Sequence, residues 1–141
     1  HSGTMSSGRS RFWRKMMSDR LSRGKLGEDI AADYLCKNGF EIVARNYHSR
    51  YGEIDIIAKN SEFIAFVEVK ARNEKALERP AAAVTSAKRR KIIQTALIFL
   101  SEFEYDLQPR FDVCEITIDN RTNMLIELNY IENAFDTEGV L

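Results

Sequence analysis

The sequence predicts an α/β domain, a mixed sheet of about five strands flanked by helices in the order α-β-β-β-α-β-β. Two stretches repeat apolar residues at helical spacing, five short runs are rich in β-branched and aromatic residues, and turn-forming residues separate them. With 141 residues the chain is long enough to bury its own core and too short for two ordinary domains.

The first helix is expected from about Lys25 to Lys37. There Ile30, Ala31, Tyr34 and Leu35 share one face, Asp29, Asp33 and Lys37 take the other, and Asn38-Gly39 ends the run. Phe40 to Tyr47 reads as a strand. Gly52 to Ala58 and Phe63 to Ala71 read as a hairpin turning through Lys59-Asn60-Ser61-Glu62. Arg72 to Val84, which contains Pro80, reads as a loop. A second helix follows from about Ser86 to Ser101, with Ile92, Ile93, Ala96, Leu97 and Leu100 as its apolar stripe. Phe111 to Ile118 and Met124 to Ile131 complete the sheet across the turn Asp119-Asn120-Arg121-Thr122-Asn123. Residues 24–135 are expected to form the domain. Residues 1–23 read as an expression scar ahead of Met5 and a basic flexible arm, and residues 136–141 as a C-terminal tail.

Lys plus Arg and Asp plus Glu both number 21, so the formal net charge is zero. A uniformly basic nucleic-acid coat and an acidic disordered tail are excluded. The charges are unevenly spread: residues 1–26 carry a net +6, residues 27–100 a net +2 and residues 101–141 a net −8. The basic arm and middle can face a polyanion while the acidic end faces away; a disordered arm explains the first stretch equally well. The longest apolar runs, Phe63 to Val67 and Ala96 to Leu100, have five residues each, against the ~20 that a bilayer requires. No secretory segment is evident, so a cytoplasmic protein without membrane contact is expected. Cys36 and Cys114 lie far apart with no C-x-x-C spacing and read as a reduced pair. With His1 and His48 the only histidines, a His-ligated zinc site is not credible, and phosphate-loop, dinucleotide and zincin motifs are absent.

Carboxylates are depleted in strands, yet the hairpin carries Asp55 and Glu68 among large apolar neighbours. Alternation places Phe66, Glu68 and Lys70 on one face, and Glu53, Asp55 and Ile57 on one face opposite Ile54 and Ile56. Hairpin pairing can then set Asp55 across from Glu68, with Cβ atoms ~5 Å apart. Two ionised carboxylates ~4 Å apart repel by ~4 kcal/mol at an effective dielectric of 20, so a positive charge is expected between them. Mg²⁺, which takes oxygen ligands, is one candidate and Lys70 alone is the other. The bland alternative is a Glu68–Lys70 ion pair on a solvated face with Asp55 at an edge. Glu28 falls about 20° from Leu35 on the helical wheel and leans toward the sheet; a rim carboxylate favoured by the helix dipole is the equal alternative. On the second helix Lys88, Arg89, Arg90 and Lys91 crowd the first turns, against the dipole, which a phosphate there would offset. A basic solvated face is the other reading.

A helix Glu, a strand Asp, a strand Glu-x-Lys and a basic helix resemble the PD-(D/E)XK nuclease superfamily. More closely, the chain resembles the YraN-like (UPF0102) endonuclease-like family, related to archaeal Holliday junction resolvases. The resemblance covers about Gly24 to Phe135. It rests on Gly27-Glu28 with Ala31-Ala32 and Tyr34-Leu35, then Gly52-Glu53-Ile54-Asp55-Ile56-Ile57-Ala58, then Phe66-Val67-Glu68-Val69-Lys70-Ala71-Arg72. Ala83-Val84-Thr85 with Lys88, Arg110-Phe111-Asp112-Val113 and Ile131-Glu132-Asn133-Ala134-Phe135 complete it. Ile54 stands where the superfamily has Pro.

The resemblance implies a restriction-endonuclease-like sheet in which Asp55, Glu68 and the Val69 carbonyl hold Mg²⁺, with Mn²⁺ able to substitute. Glu28 would be an auxiliary acid and Lys70 would orient water or stabilise charge, giving phosphodiester hydrolysis in DNA, structure-selective for branched or junction-like substrates. Arg50, Arg72, Lys88, Arg89, Arg90 and Lys91 are the candidates for backbone phosphate contacts. A homodimer is implied only by analogy. The competing readings are a non-catalytic DNA-binding or partner-recruiting module on the same fold, and an interaction domain using the acidic C-terminal region.

Overall fold

The computed structural model describes residues 8–74 and 84–140. Its elements are α1 (Gly8–Lys37), β1 (Glu41–His48), β2 (Glu53–Lys59), β3 (Phe63–Asn73), α2 (Ser86–Glu102), β4 (Gln108–Ile118) and β5 (Leu125–Phe135). The element order is the expected one. The five strands form one sheet in sequential order, antiparallel except for the β3–β4 pair. That pair is parallel because α2 carries the chain back across the sheet, as a parallel connection requires.

The sheet is buried on both faces, which is why β2 and β3 read as nearly continuous apolar runs. Ala31 and Leu35 of α1 cover Ile56, Ala58, Ala65, Val67, Cys114, Ile116 and Ile118 on one side. On the other, Ile92, Ile93, Ala96 and Phe99 of α2 cover Ile54, Ile57, Ile64, Phe66, Phe111 and Val113. The stripe on α2 differs from the expected one by rotation. Thr95 and Phe99 are buried, whereas Leu97 is 42% exposed and Leu100 only partly covered. Thr85 caps this helix, its hydroxyl accepting from the Lys88 N–H at 3.2 Å.

Several boundaries differ from expectation; β4, for one, begins at Gln108 and not at Phe111. The first helix begins at Gly8 and not near Lys25. The upstream Arg, Lys, Met and Leu residues have good intrinsic helix propensity, which a reading of apolar periodicity does not register. Strand β3 continues to Asn73, two residues into the expected loop; residues 75–83 of that loop, with Pro80 and Ala83, lie outside the described residues. Strand β5 runs on to Phe135 through a break at Asn133, whose φ is +53°.

The break has an identifiable cause. The register between β4 and β5 shifts between Phe111 and Val113, and the buried Asp112 carboxylate fills the irregularity. It accepts from the Asn133 N–H at 2.9 Å, the Tyr130 hydroxyl at 2.6 Å and the Arg110 guanidinium at 3.0 Å. Arg110 lies over the Phe63 ring. Burial pushes the Tyr130 hydroxyl above its ordinary range. The Arg110-Phe111-Asp112 segment is therefore a fastener for the edge strand.

Gly27 lets α1 approach β3 closely. A Cβ built there would lie 2.5 Å from that of Ala71, closer than the two groups can stand. Gly27→Val should therefore lower the urea midpoint by the equivalent of about 1–3 kcal/mol. An unchanged midpoint would mean that α1 can lift without loss.

Candidate functional site

The hairpin is regular from its turn to Ile56↔Val67 and then stops pairing. Continuing that register would set Ile54 against Val69. Ile54 instead lies in the same core as Ile57, while Ile56 and Ala58 lie in the other. Residues two apart in a regular strand share a face, so β2 changes faces at Asp55. This corrects the expectation that Ile54 and Ile56 stand together opposite Asp55.

The side chain of Asp55 takes over the pairing that the backbone gives up. Its Oδ2 accepts from the Val69 N–H at 2.8 Å. In a strand a residue presents its N–H and C=O to the same side, so the Val69 carbonyl also points to the β2 side, where Asp55 stands. Glu68 is buried on the α2 face, and its Oε2 lies 3.3 Å from Lys88 Nζ. Lys70 is half-buried on that face, in register with Glu115 of β4.

Burial first, and then the charge of Glu68, push the Asp55 carboxyl up to about 7; the Val69 N–H opposes this, and the charge of Glu28 and a hydrogen bond to Glu68 add to it. The three acids are thus electrostatically coupled around one strand end. Glu28 comes from α1, where its side chain is 18% exposed against 47% for Asp29, the lean expected from the helical wheel. Both of its oxygens accept from Asn46 Nδ2 at 3.2 Å.

The basic residues divide. Lys88 enters the acid cluster through Glu68. Lys91 and Arg90 are exposed, and Lys91 stands against Gly52 in the β1–β2 connection. Arg50 is exposed and lies over the Tyr51 ring. Arg72 lies 3.6 Å from Glu115, and Arg89 donates to the Val84 carbonyl beside the Phe135 ring. Arg72 and Arg89 are therefore engaged within the fold, while Arg50, Arg90 and Lys91 face outward.

Sequence reasoning did not single out Asn46, Glu53 or Glu115. Asn46 Nδ2 also donates to Glu53 Oε2 at 3.0 Å, and buried Glu115 accepts from Asn129 at 3.0 Å. A carboxylate in the interior of β4 is the same signal that flagged Glu68 and would have found Glu115.

The donor set suits a hard cation. Asp55, Glu68 and the Val69 carbonyl offer two carboxylates and a neutral oxygen, leaving positions for water and a phosphate, which is the usual demand of Mg²⁺. Among the described residues no group of three His, Cys, Asp or Glu side chains is placed so that it could hold a metal ion by itself.

The family model described as "Uncharacterised protein family UPF0102" matches residues 27–116, from the helix glycine into β4. The chain belongs to this family. A UPF0102 protein of Syntrophotalea carbinolica is 42% identical over 125 residues, covering 88% of this chain and 99% of the relative. One of Caldanaerobacter subterraneus subsp. tengcongensis is 39% identical over 113 residues, covering 79% and 93%. One of Rhodococcus opacus is 42% identical over 120 residues, covering 84% and 100%. The family match spans Glu28, Asp55, Glu68, Lys70 and Lys88. Among the described residues no helix is long and apolar enough to cross a membrane.

A raised Asp55 fixes the sign of a pH effect. An acid held above its unfolded value contributes stability below about pH 4 that is lost as pH rises through about 7. Without divalent metal, the melting temperature should fall across that window relative to Asp55→Asn, which cannot ionise. Parallel profiles for the two proteins would show that Asp55 is not perturbed.

Proposed function

We propose that this protein is a metal-dependent endonuclease that hydrolyses phosphodiester bonds in DNA, acting in the cytoplasm on branched or junction-like substrates. The observation carrying the reading is the Asp55 end of the hairpin, where a broken ladder sets the Asp55 carboxylate on the Val69 N–H and beside Glu68, so that burial and the neighbouring charge push its carboxyl up.

Asp55, Glu68 and the Val69 carbonyl would hold Mg²⁺ or Mn²⁺. Bound there, such a cation supplies charge neutralisation to a phosphodiester and makes water a better nucleophile. The protein's own groups do the positioning. Lys70, two residues along β3 from Glu68 on the same face, stabilises charge developing on the phosphate or orients the attacking water. Glu28 supplies a further acceptor at the edge of the cluster. Lys88 exchanges its ion pair with Glu68 for a substrate phosphate, and exposed Arg50, Arg90 and Lys91 extend the backbone contact.

In a titration of Mg²⁺ and of Mn²⁺ against branched, flapped and linear DNA, the wild-type protein should cut branched DNA best. Asp55→Asn, Glu68→Gln and Lys70→Ala should each lower kcat/KM by about a hundredfold or more. Binding without cutting in either metal would overturn the endonuclease reading in favour of a DNA-binding module. Lys88→Ala should weaken DNA binding and reduce the slope of log affinity against log salt by about 1; an unchanged slope would remove Lys88 from the phosphate contacts.

A further inference from the structure

We propose that Asn46 is a positioning residue that holds the Glu28 carboxylate at the Asp55 end of the hairpin, an assignment that rests on the endonuclease reading above. Asn46 lies between the paired residues Arg45↔Ile56 and Tyr47↔Ile54, directly across β1–β2 from Asp55. Its φ is +51°, in the left-handed region. Asn tolerates that region better than most residues, but a strand interior has no ordinary use for it.

The side chain shows what the unusual backbone achieves. One amide nitrogen faces both Glu28 oxygens at 3.2 Å and Glu53 Oε2 at 3.0 Å. Its two hydrogens are therefore fully used by two carboxylates, one from α1 and one from β2. Like charges at that spacing would otherwise separate. Glu28 Oε1 also lies 3.6 Å from the Arg45 guanidinium, which donates to Asp29 at 2.8 Å. The other group near Glu53 is His48, with Nε2 at 3.9 Å. The Asn46 amide thus ties the Glu28 carboxylate to Glu53 and the hairpin end, while Arg45 divides its charge between Glu28 and Asp29. Exposed hydrogen bonds contribute little net stability, so they do not by themselves account for retaining a strained conformation.

The test is a double-mutant cycle in the full chain with Asn46→Gly, Glu28→Gln and the two together. Glycine accepts the left-handed backbone and removes only the amide, so the fold is kept. Asn46→Gly should lower both Mn²⁺ affinity, followed by thermal shift, and the cleavage rate by roughly tenfold, as the loss of a group supporting a metal site does, with KM for DNA unchanged. The double variant should be no worse than Glu28→Gln alone, because Asn46 acts through Glu28. Wild-type values for Asn46→Gly, or losses that multiply in the double variant, would overturn the assignment while leaving the endonuclease reading intact. A wild-type protein that neither responds to Mn²⁺ nor cuts DNA would overturn both.

Discussion

One hydrogen bond organises the candidate site: the Val69 N–H donates to a side chain, Asp55, and not to the neighbouring strand. A backbone N–H at a sheet interior must be satisfied, and when β2 turns Ile54 into the opposite core its carbonyl leaves Val69. The Asp55 carboxylate fills that vacancy. The same substitution brings a second acid beside Glu68, so a local repair of the ladder also creates an excess of negative charge. Replacing Asp55 therefore affects the strand end as well as any chemistry there, and the isosteric amide is the informative variant.

The two-sided core makes such a site possible. Helix α1 delivers Glu28 from one side of the sheet and α2 delivers Lys88 from the other, while β2 and β3 present Asp55 and Glu68 between them. Close approach at Gly27 sets the depth at which Glu28 arrives, because the residue before it lies against Ala71. The Asp112 fastener works one strand over, in register with Val67, the residue before Glu68. It holds β5 to β4 with a fully buried carboxylate that meets four protein donors, counting two of the three guanidinium nitrogens of Arg110. Asp112 and Asp55 repair irregular ladders in similar ways. Asp112 has an arginine beside it; Asp55 faces two other acids.

Much of this fold was legible because burial on both faces makes strands apolar and because one helix face must be apolar where it meets the sheet. Those signals located all seven elements. They gave less elsewhere: α1 begins at Gly8, well upstream of the apolar periodicity, and α2 is turned so that Phe99 and Thr95 replace Leu97 in the interior. Asp55 and Glu68 stood out because carboxylates conflict with strand propensity. The face change at Asp55 could not be read, since strict alternation gives no sign of an irregular residue until its neighbours are placed in space. Asn46 was invisible for a related reason: an Asn between Arg45 and Tyr47 looks like an ordinary exposed position until its φ and its two carboxylate partners are known.

The most direct measurement is anomalous diffraction from crystals grown in Mn²⁺. The account predicts one strong peak at the hairpin end, touching Asp55, Glu68 and the Val69 carbonyl, with Lys88 released from Glu68. A map with no peak there, and Lys88 still paired to Glu68 at saturating metal, would contradict it.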